Sequence, residues 1–189
     1  MHRTSPTLVL IAAAAVTACG TLKPPKAQFP TVSTDPVVFA LNGGPAGSLA
    51  GLNFLTGTSV PVDARFTFNL ALDIDSAGRI VIYPAARVAN GLTGTITVGL
   101  QPVDGAYEDY TEARKTGYTF DSTLVVPVGQ VVGVNVLDQT TCTVYSLGAS
   151  YFAKFVVDSV HPGDRAIFTR LVSDPNCGYV ALTPGIPTK

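Results

Sequence analysis

The chain has 189 residues, with 12 Lys and Arg against 13 Asp and Glu and a formal net charge of −1. A balance this close to neutral lacks the basic footprint of proteins that bind nucleic acid or anionic lipid, so no nucleic-acid partner is expected. Apolar residues make up 47% and charged ones only 13%, which argues against disorder and for a chain with its own core.

The chain opens with Met1-His2-Arg3, continues through an apolar run from Leu8 to Val16, and reaches small Thr17 and Ala18 directly before Cys19. A positive head, a short apolar middle and a small-residue exit are the layout of a secretory signal peptide, expected over residues 1–18. A transmembrane helix needs roughly 20 apolar residues, and this run stops short of that before Thr21 and Lys23. The stretch Val16-Thr17-Ala18-Cys19 resembles the lipobox of bacterial lipoproteins. The resemblance implies cleavage before Cys19, acylation at that residue, and attachment to a membrane through the acyl chains. The alternative is an ordinary signal cut nearby, with Cys19 incidental. Two or more acyl chains anchor a protein stably where one does not. Gly20 stands where many lipoproteins retained in the inner membrane carry Asp, so the resemblance points to the outer membrane if the host has two membranes.

Residues 19–36 read as the lipidated cysteine and a tether, with Pro24, Pro25, Pro30 and Pro36 breaking any helix. At about 3.1 Å per residue, such a tether would hold a domain some 40 to 50 Å off the lipid. The rest of the chain, about 150 residues, suits one domain, expected over residues 37–184 with a tail at 185–189. Once Cys19 is committed to lipid, Cys142 and Cys177 remain. An even pair in an oxidising compartment reads as a disulfide; the alternative is two buried thiols.

Val37 to Leu41 is expected to open the domain. Phe66 to Ile74 alternates apolar even positions with mostly polar or small odd ones, the period of a half-buried strand. Asp75-Ser76-Ala77-Gly78 makes a turn, and Ile80 to Tyr83 returns as the partner strand, stopped by Pro84. Leu92 to Leu100 is a further strand. Tyr107 to Lys115 carries charges between Gly105 and Gly117 and reads as a connection with at most one helical turn. Thr123 to Val128 and Val131 to Leu137 flank a Gly129-Gln130 turn; Tyr151 to Val160 and Arg165 to Val172 flank His161-Pro162-Gly163-Asp164. Tyr179 to Leu182 is expected to close the domain. Short strands between turn signals predict an all-β fold: an antiparallel β-sandwich, immunoglobulin-like or similar, with one disulfide. A small outer-membrane barrel fits the same alternation, but the chain has no Trp for interfacial girdles and ends in Pro184-Gly185-Ile186-Pro187-Thr188-Lys189.

Chemistry-bearing motifs are weak. Asp73-Ile74-Asp75-Ser76-Ala77-Gly78 begins like a calcium loop, but Ala77 and Pro84 stand where oxygen ligands belong. His161 is the one imidazole after the signal, so a Ser-His-Asp site would have to use it, and no G-x-S-x-G elbow supplies a nucleophile. Glu108, Asp109 and Glu112 form an acidic group beside Arg114 and Lys115, more typical of a solvated face than of a glycosidase pair. No catalytic residue, metal site or cofactor is expected. Tyr107, Tyr110 and Tyr118, interleaved with charges, form the candidate contact patch if their rings are exposed; otherwise they anchor the loop. The expected role is an anchored, non-catalytic interaction or structural module of the cell envelope, with a protein or glycan partner. Small-ligand or glycan binding is the alternative, and a carboxylate-based hydrolase comes after it.

Overall fold

The computed structural model describes residues 26–63, 65–88, 96–142 and 147–188. The signal segment, Cys19 and the first part of the strand expected from Leu92 lie outside the described residues. Twelve strands run in chain order: β1 (Val32–Thr34), β2 (Val37–Phe39), β3 (Gly51–Asn53), β4 (Thr58–Val60), β5 (Leu70–Ile74), β6 (Ile80–Pro84), β7 (Ile96–Val103), β8 (Thr119–Phe120), β9 (Leu124–Val126), β10 (Val131–Asp138), β11 (Ser150–His161) and β12 (Ala166–Asp174). Two four-residue helices, α1 (Ala85–Val88) and α2 (Gln139–Cys142), lie in connections.

The strands form two antiparallel sheets packed face to face. One has the order β1-β12-β11-β10-β7-β8, with β2 also on β12; the other has the order β4-β3-β5-β6-β9. The core lies between them. Val132, Val134, Val136, Ala153, Phe155, Ile167 and Leu171 of the larger sheet meet Leu52, Leu70, Leu72, Ile80 and Ile82 of the smaller one, with Phe54 beside Phe155 at 5.9 Å between ring centroids. Apolar side chains turned towards each other across two sheets are the reason for the period-2 sequence. This is the expected sandwich, closed by a disulfide between Cys142 and Cys177.

The β5–β6 hairpin forms as its sequence requires. Asp75 Oδ1 accepts from the amides of Ala77 and Arg79, both at 2.9 Å, and Gly78 takes a φ of 76° that a side chain resists. The strand, however, begins at Leu70, not Phe66. Asn69 interrupts the pattern by taking a backbone role: its Oδ1 accepts from the amide of Phe54 (2.7 Å) and its Nδ2 donates to the Tyr151 hydroxyl (3.0 Å). The β11–β12 hairpin also forms, with Arg165 in the turn at a φ of 56° instead of in the strand. The Gly129-Gln130 turn is present, but its flanking strands do not pair with each other. β9 joins β6 in one sheet and β10 joins β7 and β11 in the other, so the turn carries the chain between layers.

The ends of the domain differ most from expectation. Pro30 and Pro36 do not keep the intervening chain out of the fold, because β1 is an edge strand, where proline is tolerated. It pairs Val32 with Ser173 and Thr34 with Leu171. The segment expected to tether through Pro36 is therefore part of the sheet from Val32. Tyr179 to Leu182 makes no strand; Ala181 forms a single bridge with Glu112 in the Tyr107–Lys115 connection, which itself has no helix.

Candidate functional site

The outer face of the larger sheet is covered, and the expected tyrosine patch is its cover. Residues 104–118 and the last segment of the chain lie across this face, burying Val103, Val131, Phe152 and Val172 with Tyr110, Ala113 and Leu182. Tyr110 is 8% exposed, while Tyr107 and Tyr118 are half-buried. Tyr110 anchors the loop, and Tyr107 and Tyr118 pack against the same cluster with part of each residue left at the surface. Gly133 makes room for one of them: a Cβ there would stand 2.9 Å from the Tyr110 hydroxyl. Burial pushes the Tyr107 and Tyr118 phenols well above the ordinary tyrosine value.

Lys154, on β11, holds this cover down. Its side chain lies on the outer face yet is 3% exposed, and its Nζ donates to the carbonyls of Tyr107 (2.7 Å) and Tyr110 (2.8 Å). The ammonium also stands 4.3 Å from the centroid of the Tyr107 ring, and the Arg170 guanidinium 4.7 Å from the same ring. Desolvation lowers the Lys154 pKa. Arg170 in turn bonds Asp158 through Nε and Nη2 and Glu108 through Nη1, all at 2.8 to 2.9 Å. The acidic group of this connection is thus partly tied into a surface ion-pair network. The sequence signal for Lys154 is its setting in Tyr151-Phe152-Ala153-Lys154-Phe155, where aromatics fall on both strand faces and imply burial on both.

At the end where the chain enters, Asp174 and Asn176 form a clamp that the sequence does not announce. Asn176 Oδ1 accepts from the amides of Gln28 (2.8 Å) and Phe29 (3.0 Å), and its Nδ2 donates to the Phe29 carbonyl (2.8 Å). Asp174 Oδ1 orients Asn176 by accepting from its amide (2.9 Å) and from its Nδ2 (2.7 Å). Thr31 adds its amide to the Gly185 carbonyl and its hydroxyl to Thr183. The Cys142–Cys177 bond lies in the same loop. The fold therefore grips the incoming chain from Gln28.

Asp174 is fully buried and its Oδ2 has no hydrogen-bond partner among the described residues. Desolvation raises its pKa. A carboxyl with a raised pKa in the folded state contributes fully at low pH, and the contribution falls as pH rises from about 3.9, the unfolded value, through the folded one. Asp174→Asn keeps an acceptor for Asn176 and removes the ionisation. Urea midpoints of the variant are expected to gain on the parent protein between pH 4 and pH 7. A gap that does not change with pH would show that Asp174 is not the titrating group.

Asp73 accepts from Asn42 Nδ2 (2.6 Å) and Arg165 Nη2 (3.1 Å), joining the two sheets at the far end, while Asp75 shapes its turn. His161 Nδ1 lies 2.8 Å from Asp164 Oδ1 on an exposed turn. A shallow groove of about 440 Å³ runs between Thr111, Glu112, Val180 and residues 183–188. A second hollow, of about 360 Å³, lies beside Asn53, Ile96, Asp138 and Tyr151. There Asp138 accepts from the amides of Thr140 and Thr141 and from the Thr141 hydroxyl, and the Tyr151 hydroxyl accepts from Asn69. No protein-family model, curated protein or solved structure matches the chain.

Proposed function

We propose that this protein is an exported lipoprotein, acylated at Cys19, whose β-sandwich serves the cell envelope as a non-catalytic interaction or structural module. The observation that carries the reading is the pairing of Cys142 with Cys177. It suits an oxidising compartment and leaves Cys19, inside the lipobox-like Val16-Thr17-Ala18-Cys19, as the odd cysteine of three. The polar residues that could do chemistry support a binding or structural role, because the bonds they make hold loops and the chain entry in place.

Crosslinking in intact cells, followed by capture and mass spectrometry, tests the role. The control is the same domain exported with an exchanged signal and without Cys19. A specific envelope component recovered with the anchored protein and lost from the unanchored one is the expected result. An equal yield of that component from both forms would contradict an anchored module.

A further inference from the structure

The clamp at Gln28 and Phe29 fixes which end of the sandwich faces the lipid, given the anchor at Cys19 proposed above. We infer that the chain-entry end, carrying Phe29, Leu147 and Ile186, rests on the bilayer that holds the acyl chains. These three are among the exposed large apolar side chains, at 56%, 44% and 59%. All three stand at the entry. The backbone of Phe29 is held by Asn176. Leu147 crowds Gly178, two residues beyond Asn176 in the same loop. Ile186 adjoins Gly185, whose carbonyl accepts from Thr31.

Chain length selects the occupant. The run from Cys19 to Gln28 reaches about 30 Å at most, even fully extended, at ~3.3–3.6 Å per residue. β11, with 12 residues, spans the sandwich from the entry end to the far turn, a distance of about 40 Å at ~3.3 Å per residue. The far loops at 42–47, 75–78 and 161–165 therefore cannot be drawn to the lipid while the entry end stands away from it. Apolar rings and aliphatic side chains at a domain rim favour the headgroup boundary. Lys26 is exposed beside Phe29, and Lys115 lines the same hollow as Leu147, placing long cationic side chains where they can reach headgroups over apolar contacts. The far loops are then the surface offered to a partner.

The absence of Trp from the chain gives a clean probe. Phe29→Trp, Leu147→Trp and, at the opposite end, Val128→Trp are each prepared in the full protein purified from membranes. Each is placed in vesicles of phosphatidylcholine brominated along its acyl chains, and an intact mass confirms the state of Cys19. The expected result is acylated protein in which Trp at 29 and 147 loses much of its emission to bromine and shifts to the blue, while Trp at 128 keeps the emission seen in unbrominated vesicles. Acylated protein with no quenching at 29 or 147, or with equal quenching at 128, overturns the inference and leaves the anchor standing. Unacylated Cys19 overturns both.

Discussion

Lys154→Met is expected to destabilise the domain by about 3 kcal/mol, since each buried carbonyl left without its donor costs about 1–3 kcal/mol. Methionine keeps most of the lysine stem, so the loss reads the polar bonds to Tyr107 and Tyr110 more than a cavity. Relief of the desolvated ammonium offsets part of the cost, because a buried charge is itself unfavourable. The damage is local in origin: the Tyr107–Lys115 connection loses its attachment to β11, and Val103, Val131 and Val172 beneath it become open to water. Chemical denaturation gives the size of the effect, and limited proteolysis gives its place. A lowered midpoint with new cleavage in 104–118 is the expected pair. An unfolding free energy within about 0.5 kcal/mol of the parent, the range of ordinary surface changes, would mean that the lysine does not hold the cover.

Opening the disulfide is expected to cost about 4 kcal/mol, the chain-entropy value for a loop of this size; the two cysteines lie 35 residues apart. The loop they close contains all of β11 and β12, so the bond restricts the unfolded form of the central hairpin. It also fastens α2 to the segment after Asp174 that carries Asn176. Replacing both cysteines by alanine, or reducing the parent protein, should lower the urea midpoint and raise the dependence on denaturant as the unfolded chain expands. Hydrogen exchange at the amides of Gln28 and Phe29 should rise with it. An unchanged midpoint after complete reduction would sink this account of the staple.

Hairpins and layers were legible in the sequence because they follow from local rules. Phe66 to Ile74 and Ile80 to Tyr83 alternate around an Asp-Ser-Ala-Gly turn, and turn chemistry fixed their pairing. The same rules misplace the partners of Thr123 to Val128, since a turn shows where a chain reverses but not whether it stays in its sheet. Burial on the outer face was also hidden. Tyr107, Tyr110 and Tyr118 resemble a recognition surface in sequence, and their covering role depends on Lys154 and Gly133, distant in the chain. A glycine inside the strand Val131–Asp138 does carry a local signal, since it marks close approach by another group. The Asn176 clamp had no such signal: its partners at 28 and 29 lie almost a whole chain away, in a segment whose prolines suggest a free tether.

With the proposed anchor at Cys19, a chain that joins the sheet at Val32 and is gripped at Gln28 would hold the domain closer to the lipid than a tether through Pro36 would. The inferred orientation would then turn the chain-entry end towards the membrane.

The intact mass of the mature protein, extracted from its own membranes without reductant, tests the central claim most directly. The account predicts a chain that begins at Cys19, carries acyl chains there, and lacks the hydrogens given up when Cys142 and Cys177 join. A chain that still begins at Met1, or one that begins near Cys19 with that thiol unmodified, would contradict it.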